Sequence, residues 1–121
     1  MTARKGLGRL GEELAARALT ARGYRIRERN WRCPAGELDI VAQDGDVLVF
    51  VEAKARRGRA FGTPEEAVTP AKQAKLAELA ATYVQESGWQ GEWRIDVAAV
   101  ELTPEGELLR VDIIQNAVGE W

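Results

Sequence analysis

Histidine is absent from all 121 residues of this chain. That excludes Ser-His-Asp and Cys-His catalysis, imidazole ligation of a metal, and histidine as a general base. A single cysteine, Cys33, has no partner for an internal disulfide and cannot build a zinc finger, which fits a reducing cytoplasm. Long apolar runs are missing too. The longest, Val47 to Val51, is far too short to cross a bilayer, and the N-terminal residues lack the apolar core of a signal peptide. A metal bound by such a chain should be hard and oxygen-ligated, and a general base should be a carboxylate, a lysine or water.

With 45% hydrophobic and 30% charged residues, the chain is too apolar for disorder and too polar for a membrane. Its length suits one domain, residues 1–121, able to bury roughly two thirds of its unfolded surface. The net charge is only −2, but the charges are polarised along the chain. Residues 1–32 carry nine Lys/Arg against three Asp/Glu, and residues 76–121 carry two against nine. One basic face follows if the segments stay apart, and an ordinary pairing of acidic with basic segments follows if they do not.

Helical spacing of Leu7, Leu10, Leu14, Ala18 and Ala21 predicts a first helix over 6–22, stopped by Gly23. In YRIRERNW, arginines at 25, 27 and 29 alternate with Tyr24, Ile26 and Glu28, the pattern of an edge strand with one basic face. Strands follow at 37–42 and 47–54, joined by the Asp44-Gly45-Asp46 turn. Val47–Val51 is apolar on both faces, so that strand should be central and covered on both sides. An Arg- and Gly-rich loop spans 55–66. Thr69-Pro70 then opens a second helix whose stripe is Leu76, Leu79, Ala80, Tyr83 and Val84, ending at Gly88. Two more strands, 92–101 and 108–115, flank the turn at 104–107. The predicted order is α-β-β-β-α-β-β, an α/β fold with a mixed central sheet flanked by helices.

Chemistry concentrates in GELDIVAQDGDVLVFVEAKAR. Strand alternation puts Glu37 with Asp39 on one face and Glu52 with Lys54 on one face of the next strand. Paired strands would bring three carboxylates and an ammonium together, at a cost in repulsion and desolvation unless a cation compensates. Magnesium, with Mn2+ as a substitute, suits that donor set: Asp39 and Glu52 as direct ligands, Glu37 as a third ligand or support, and Lys54 for charge on a phosphate. The alternative is a set of cross-strand ion pairs on a solvated sheet. The position of Glu52 directly after five apolar residues favours the site, because unpaired charge on a buried strand is rare.

These residues, with GRLGEELAARALTARGY, RNWR, FGTPEEAVTPAKQAKL and WRIDVAAVEL, cover nearly the whole chain in order. Together they resemble the bacterial YraN-like family, distant relatives of archaeal Holliday junction resolvases within the PD-(D/E)xK nuclease superfamily. The resemblance implies a restriction-endonuclease-like fold and a Mg2+-dependent nuclease site cutting branched or structured DNA. A module that keeps the fold and binds nucleic acid without cutting is the alternative it leaves open. Asp39, Glu52 and Lys54 match the superfamily's catalytic triplet, and Glu12 matches an acidic residue that junction-resolving relatives carry on their first helix. Ala53 and Ile95 stand where the family more often has Val and Phe, and neither should touch the chemistry.

Periodicity alone reads Glu12 as a solvated residue near the positive end of the helix dipole, so its role in the site rests on the resemblance. Lys72 falls in the middle of the second helix's apolar stripe, where it would reach the carboxylates or a phosphate, or else snorkel to solvent. Lys75 is a weaker candidate of the same kind. Arg25, Arg27, Arg29, Arg32, Arg56, Arg57 and Arg59 are the expected phosphate contacts. Trp31 stacks on an unpaired base or, more in keeping with tryptophan, joins the core. Asp96 reads as a structural partner of Arg94 or of a lysine. A junction-cutting mechanism calls for a homodimer, with Tyr83, Val84, Trp89 and Ile113–Val118 serving either an interface or the core.

Overall fold

The computed structural model describes residues 3–118; the two residues before and the three after them, which the expected 1–121 domain includes, lie outside the described residues. Helix α1 (Ala3–Ala21) leads into a meander of β1 (Arg25–Cys33), β2 (Gly36–Asp44) and β3 (Val47–Arg57). A short 310 turn (Glu65–Ala67) and helix α2 (Pro70–Ser87) carry the chain to β4 (Trp93–Leu102), which turns back into β5 (Leu108–Val118). The strands lie in chain order across one five-stranded sheet. Only the β3–β4 pair is parallel, because only there does a helix bridge the strands.

The predicted order and the edge position of β1 hold, and β3 is the middle strand of the sheet. Leu48, Val49, Phe50 and Val51 are almost fully buried, as expected for a strand covered on both faces. One layer packs Ala15, Leu19, Ile40, Ala42, Val49, Val51 and Ala98 against α1. The other packs Leu38, Leu48, Phe50, Leu76, Leu79, Tyr83, Ile95 and Val97 against α2. Thr69 caps α2 by accepting the Lys72 N–H at 3.3 Å, and Gly88 ends it in the left-handed conformation at φ 75°.

Helix α1 corrects one expectation. Its buried face runs through Gly11, Ala15, Ala16 and Leu19, whereas Leu10 is 42% exposed and Ala21 faces solvent. Small residues let this helix lie close on the sheet: a Cβ on Gly11 would stand 2.9 Å from the Ala55 Cβ. Gly11→Val should therefore force the layers apart and destabilise the protein by about 1–3 kcal/mol, read from the urea midpoint. An unchanged midpoint would mean that α1 can shift freely on the sheet.

The apolar residues weighed for an interface belong to the core. Tyr83 and Val118 are buried in the α2 layer, and Val84, Trp89 and Ile114 pack against it. Trp31 joins that layer with its ring edge-on to Tyr83, centroids 5.2 Å apart, so it is not free to stack on a base. Asp96, fully buried, binds Arg94 Nε at 3.0 Å and accepts from the Asn116 N–H at 2.9 Å and the Tyr24 hydroxyl at 3.3 Å. It is structural, as expected.

Candidate active site

The antiparallel β2–β3 ladder runs from Asp44↔Val47 to Ile40↔Val51 and stops there. At the next position the Ala53 N–H donates to the Asp39 carboxylate at 3.0 Å instead of to a backbone carbonyl. The side-chain alternation of β2 also breaks here: Leu38 packs toward α2 and Ile40 toward α1. Glu37 and Asp39 therefore do not share one face in the simple way that period-two alternation dictates. Asp39 instead turns to Glu52, and the two side chains lie within hydrogen-bonding reach of each other.

Glu52 is 5% exposed on a strand otherwise lined by Leu48, Val49, Phe50 and Val51. Burial pushes its carboxyl up to about 7, and the neighbouring Asp39 charge adds to the effect. Burial raises Asp39 as well, partly offset by the Ala53 N–H. Glu12 is raised by burial and then by the Asp39 charge, which puts it beside the pair. It sits there because the true stripe of α1, Gly11-Ala15-Leu19, turns residue 12 toward the sheet.

The cation nearest the pair comes from α2. Lys72 Nζ lies 3.4 Å from Glu52 Oε2, the inward of the two positions that its place on the helical wheel allows. Lys54 shares the Glu52 face by alternation. Among the described residues its ammonium makes no ion pair or hydrogen bond, and neither do Arg25, Arg27, Arg56 or Arg57 pair with a carboxylate. Arg25 and Arg27 share Gln43 Oε1 at 3.1 and 3.2 Å, Arg57 donates to the Pro104 carbonyl, and Arg56 Nε is buried without a partner.

The other expected phosphate contacts are engaged by carboxylates. Arg29 binds Glu13 at 3.1 Å and approaches Glu12 at 3.8 Å. Arg32 holds Glu37 at 3.0 Å, which draws Glu37 away from the buried pair. Arg59 makes two bonds to Glu101, and Lys75 lies 3.4 Å from Glu78. Three carboxylates do not close on one point. Among the described residues no group of three or more Asp, Glu, Cys or His side chains stands together as a ready metal cage. Asp39 and Glu52 meet, Glu12 flanks them, and Glu37 stands outside on Arg32.

Two residues carry no sequence argument, one beside Glu12 and one exposed on the loop after β3. Asn30 holds β1 in the left-handed conformation at φ 57°, and its side chain lies beside Glu12, where it works against the upward push of burial. An asparagine inside a strand is the available signal, since Asn tolerates that conformation and is otherwise disfavoured in sheets. Phe61, 89% exposed, tips the loop after β3. Its neighbours are fixed: Gly62 N–H donates to the Arg59 carbonyl at 3.1 Å, and Thr63 caps onto Glu66.

A mixed sheet between two helices, with a half-buried Asp39 and a buried Glu52 meeting where β2 and β3 part beside the middle strand, defines an α/β protein of restriction-endonuclease-like architecture. The chain belongs to the uncharacterised protein family UPF0102, whose model matches residues 11–100 and so spans Glu12, Asp39, Glu52, Lys54 and Lys72. It is 55% identical over 112 residues to a UPF0102 protein of Symbiobacterium thermophilum, covering 92% of this chain and 94% of that one. A UPF0102 protein of Pelotomaculum thermopropionicum is 49% identical over 116 residues, covering 95% and 97%. One of Streptomyces coelicolor is 52% identical over 122 residues, covering 98% and 91%. Among the described residues no helix is long and apolar enough to cross a membrane.

Proposed function

We propose that this protein is a divalent-metal-dependent endonuclease that hydrolyses phosphodiester bonds in branched or structured DNA. The observation that carries the reading is the Asp39–Glu52 pair, Glu52 buried and Asp39 half-buried, on the two strands that part beside the sheet's centre. Two carboxyls held together and largely out of water oppose folding, and their neighbours on these strands are leucine, isoleucine, valine and alanine, which would pack there without that cost.

The donor set fits magnesium or manganese. Both groups are hard oxygen ligands, and a cation that keeps several waters needs few protein carboxylates, so the lack of a closed cage is no obstacle. Asp39 and Glu52 would hold the ion, with Glu12 near enough to orient its waters, and Glu37 would join them on leaving Arg32. When bound, such an ion polarises a phosphate oxygen and lowers the pKa of its water. Lys54, on the Glu52 face and without a carboxylate partner among the described residues, supplies positive charge where negative charge develops on the phosphate. Arg25 and Arg27 along β1, with Arg56 and Arg57 at the end of β3, are the cations left over for the backbone of a nucleic acid. Such contacts position without reading sequence.

With Trp31 packed against the core, Phe61 is the most exposed aromatic among the described residues and the one we assign to an unstacked base. Phe61→Ala should weaken binding to a junction or single strand by about 1–3 kcal/mol and leave linear duplex nearly unchanged, measured by fluorescence anisotropy. Equal loss on all substrates would remove Phe61 from base recognition.

The deciding experiment is cleavage of a labelled four-way junction, flap, linear duplex and single strand in Mg2+ or Mn2+. Wild type should cut in a metal-dependent way and Lys54→Ala should not. A second reading, a module that binds nucleic acid without cutting by itself, is favoured by the presence of Lys72 on Glu52. Folded wild type that cuts nothing yet binds DNA with steep salt dependence would select it.

A further inference from the structure

We infer that Lys72 is the resident cation of the carboxylate pair and that it leaves Glu52 when a divalent cation binds there. The inference rests on the metal site proposed above. Lys72 Nζ stands 3.4 Å from Glu52 Oε2, on a carboxylate that is otherwise shut away from water. Its backbone is held by the N-cap of α2, the Lys72 N–H donating to Thr69 Oγ1, so the side chain is delivered to the same place each time. The ammonium itself is not trapped. Lys72 keeps 45% of its side chain exposed, against 7% for Glu52. A long, half-solvated stem on a fixed helix turn can swing its charge to solvent or to a phosphate without disturbing the fold.

Lys54 cannot be doing the same task, since among the described residues it pairs with no carboxylate. The two lysines therefore divide the work by position. Lys54 lies two residues beyond Glu52 along β3, and Lys72 comes down from α2 onto the carboxylate itself. A cation entering between Asp39 and Glu52 meets the Lys72 charge directly. Its affinity is set by the difference between its own attraction to the pair and the lysine contact it displaces.

The test is Mn2+ affinity, followed by the loss of the free-ion paramagnetic resonance signal, for full-length wild type, Lys72→Met and Lys72→Arg. A pH well above the Glu52 value keeps proton competition out of the comparison. Two unit charges about 4 Å apart in bulk water are worth roughly a fivefold change in an equilibrium constant. Lys72→Met should accordingly bind Mn2+ at least about fivefold more tightly, and Lys72→Arg should stay near wild type. Equal affinities in all three proteins, or weaker binding by Lys72→Met, would overturn the inference while leaving the metal site intact. No Mn2+ binding by any of the three would overturn the site and the inference together. Circular dichroism of each variant identifies a folding failure, and Lys72→Arg, which keeps the charge, separates charge from shape.

Discussion

Glu52→Gln should abolish metal-dependent cleavage and, in the same molecule, make the metal-free protein harder to unfold. The first effect follows from losing a ligand charge while keeping shape, and a fall of at least about 10²–10³ in the cleavage rate is expected. The second follows from burial. Glu52 is 5% exposed beside Asp39, and burial pushes its carboxyl up to about 7, so ionising it at alkaline pH works against the folded state. The glutamine removes that opposition. Loss of the Lys72 contact subtracts little, because an ion pair with a half-exposed lysine is worth only about 0–1 kcal/mol. Thermal unfolding in EDTA at alkaline pH should show a gain of about 2–3 kcal/mol, or roughly 3–6 °C for each kcal/mol. Wild-type cleavage by this variant would remove Glu52 from the metal site. A lower melting temperature would make the pair a structural anchor instead. Asp39→Asn is the matching change on β2, since it preserves an acceptor for the Ala53 N–H. Asp39→Ala would add about 1–3 kcal/mol of damage by orphaning that donor.

The metal-free protein should also lose stability as pH rises through neutrality, contrary to the usual behaviour of carboxylates. Glu52, Asp39 and Glu12 are all raised, each chiefly by burial. A group whose folded pKa exceeds its unfolded one contributes stability that is complete below the unfolded value and is lost as pH passes the folded value. For Glu52 the window runs from the ordinary glutamate range to about 7, and the expected loss across it is about 2–3 kcal/mol. Carboxylates held low act elsewhere. Arg59 and then Arg110 bring Glu101 down to about 2, so its contribution is present above the ordinary carboxylate range and lost only in acid. Urea midpoints in EDTA from about pH 5 to 8.5 should therefore fall, and saturating Mg2+ should flatten the curve by binding the ionised pair. Midpoints that are flat or rising in EDTA would show that the pair is not strained by ionisation.

Much of this was legible in the chain. The middle strand is legible because Val47–Val51 has no polar face, and Lys72 is legible as a candidate because a lysine in an apolar stripe either reaches the sheet or snorkels to solvent; the structure selects the first. What escaped was carried by small residues and by backbone irregularity. Gly11 and Ala15 make the contact face of α1, but they add so little hydrophobicity that the leucines beside them dominated the pattern. That rotated the helix in the reading and left Glu12 without a physical reason to face the site. Strand β3 runs to Arg57, beyond the expected end at Lys54, because parallel pairing with β4 continues through Arg56↔Glu101 and Arg57↔Leu102. The turn of Asp39 toward Glu52 depends on where the β2–β3 ladder stops, which is a property of two strands together. Likewise the arginines could be counted in advance, but their acceptors come from distant segments, as Glu101 does for Arg59.

The order of the strands also bears on how the protein is made. Every residue proposed for the site, from Glu12 to Lys72, leaves the ribosome before β4 does, and β4 is the strand that covers the open flank of β3. Trp93, the start of β4, follows Arg57, the end of β3, by 36 positions along the chain (93 less 57). At about 5–20 residues per second, the nascent chain shows one edge of its most apolar strand for roughly 2–7 s. During translation that strand is open to chaperones and to neighbouring chains, and β4 ends the interval.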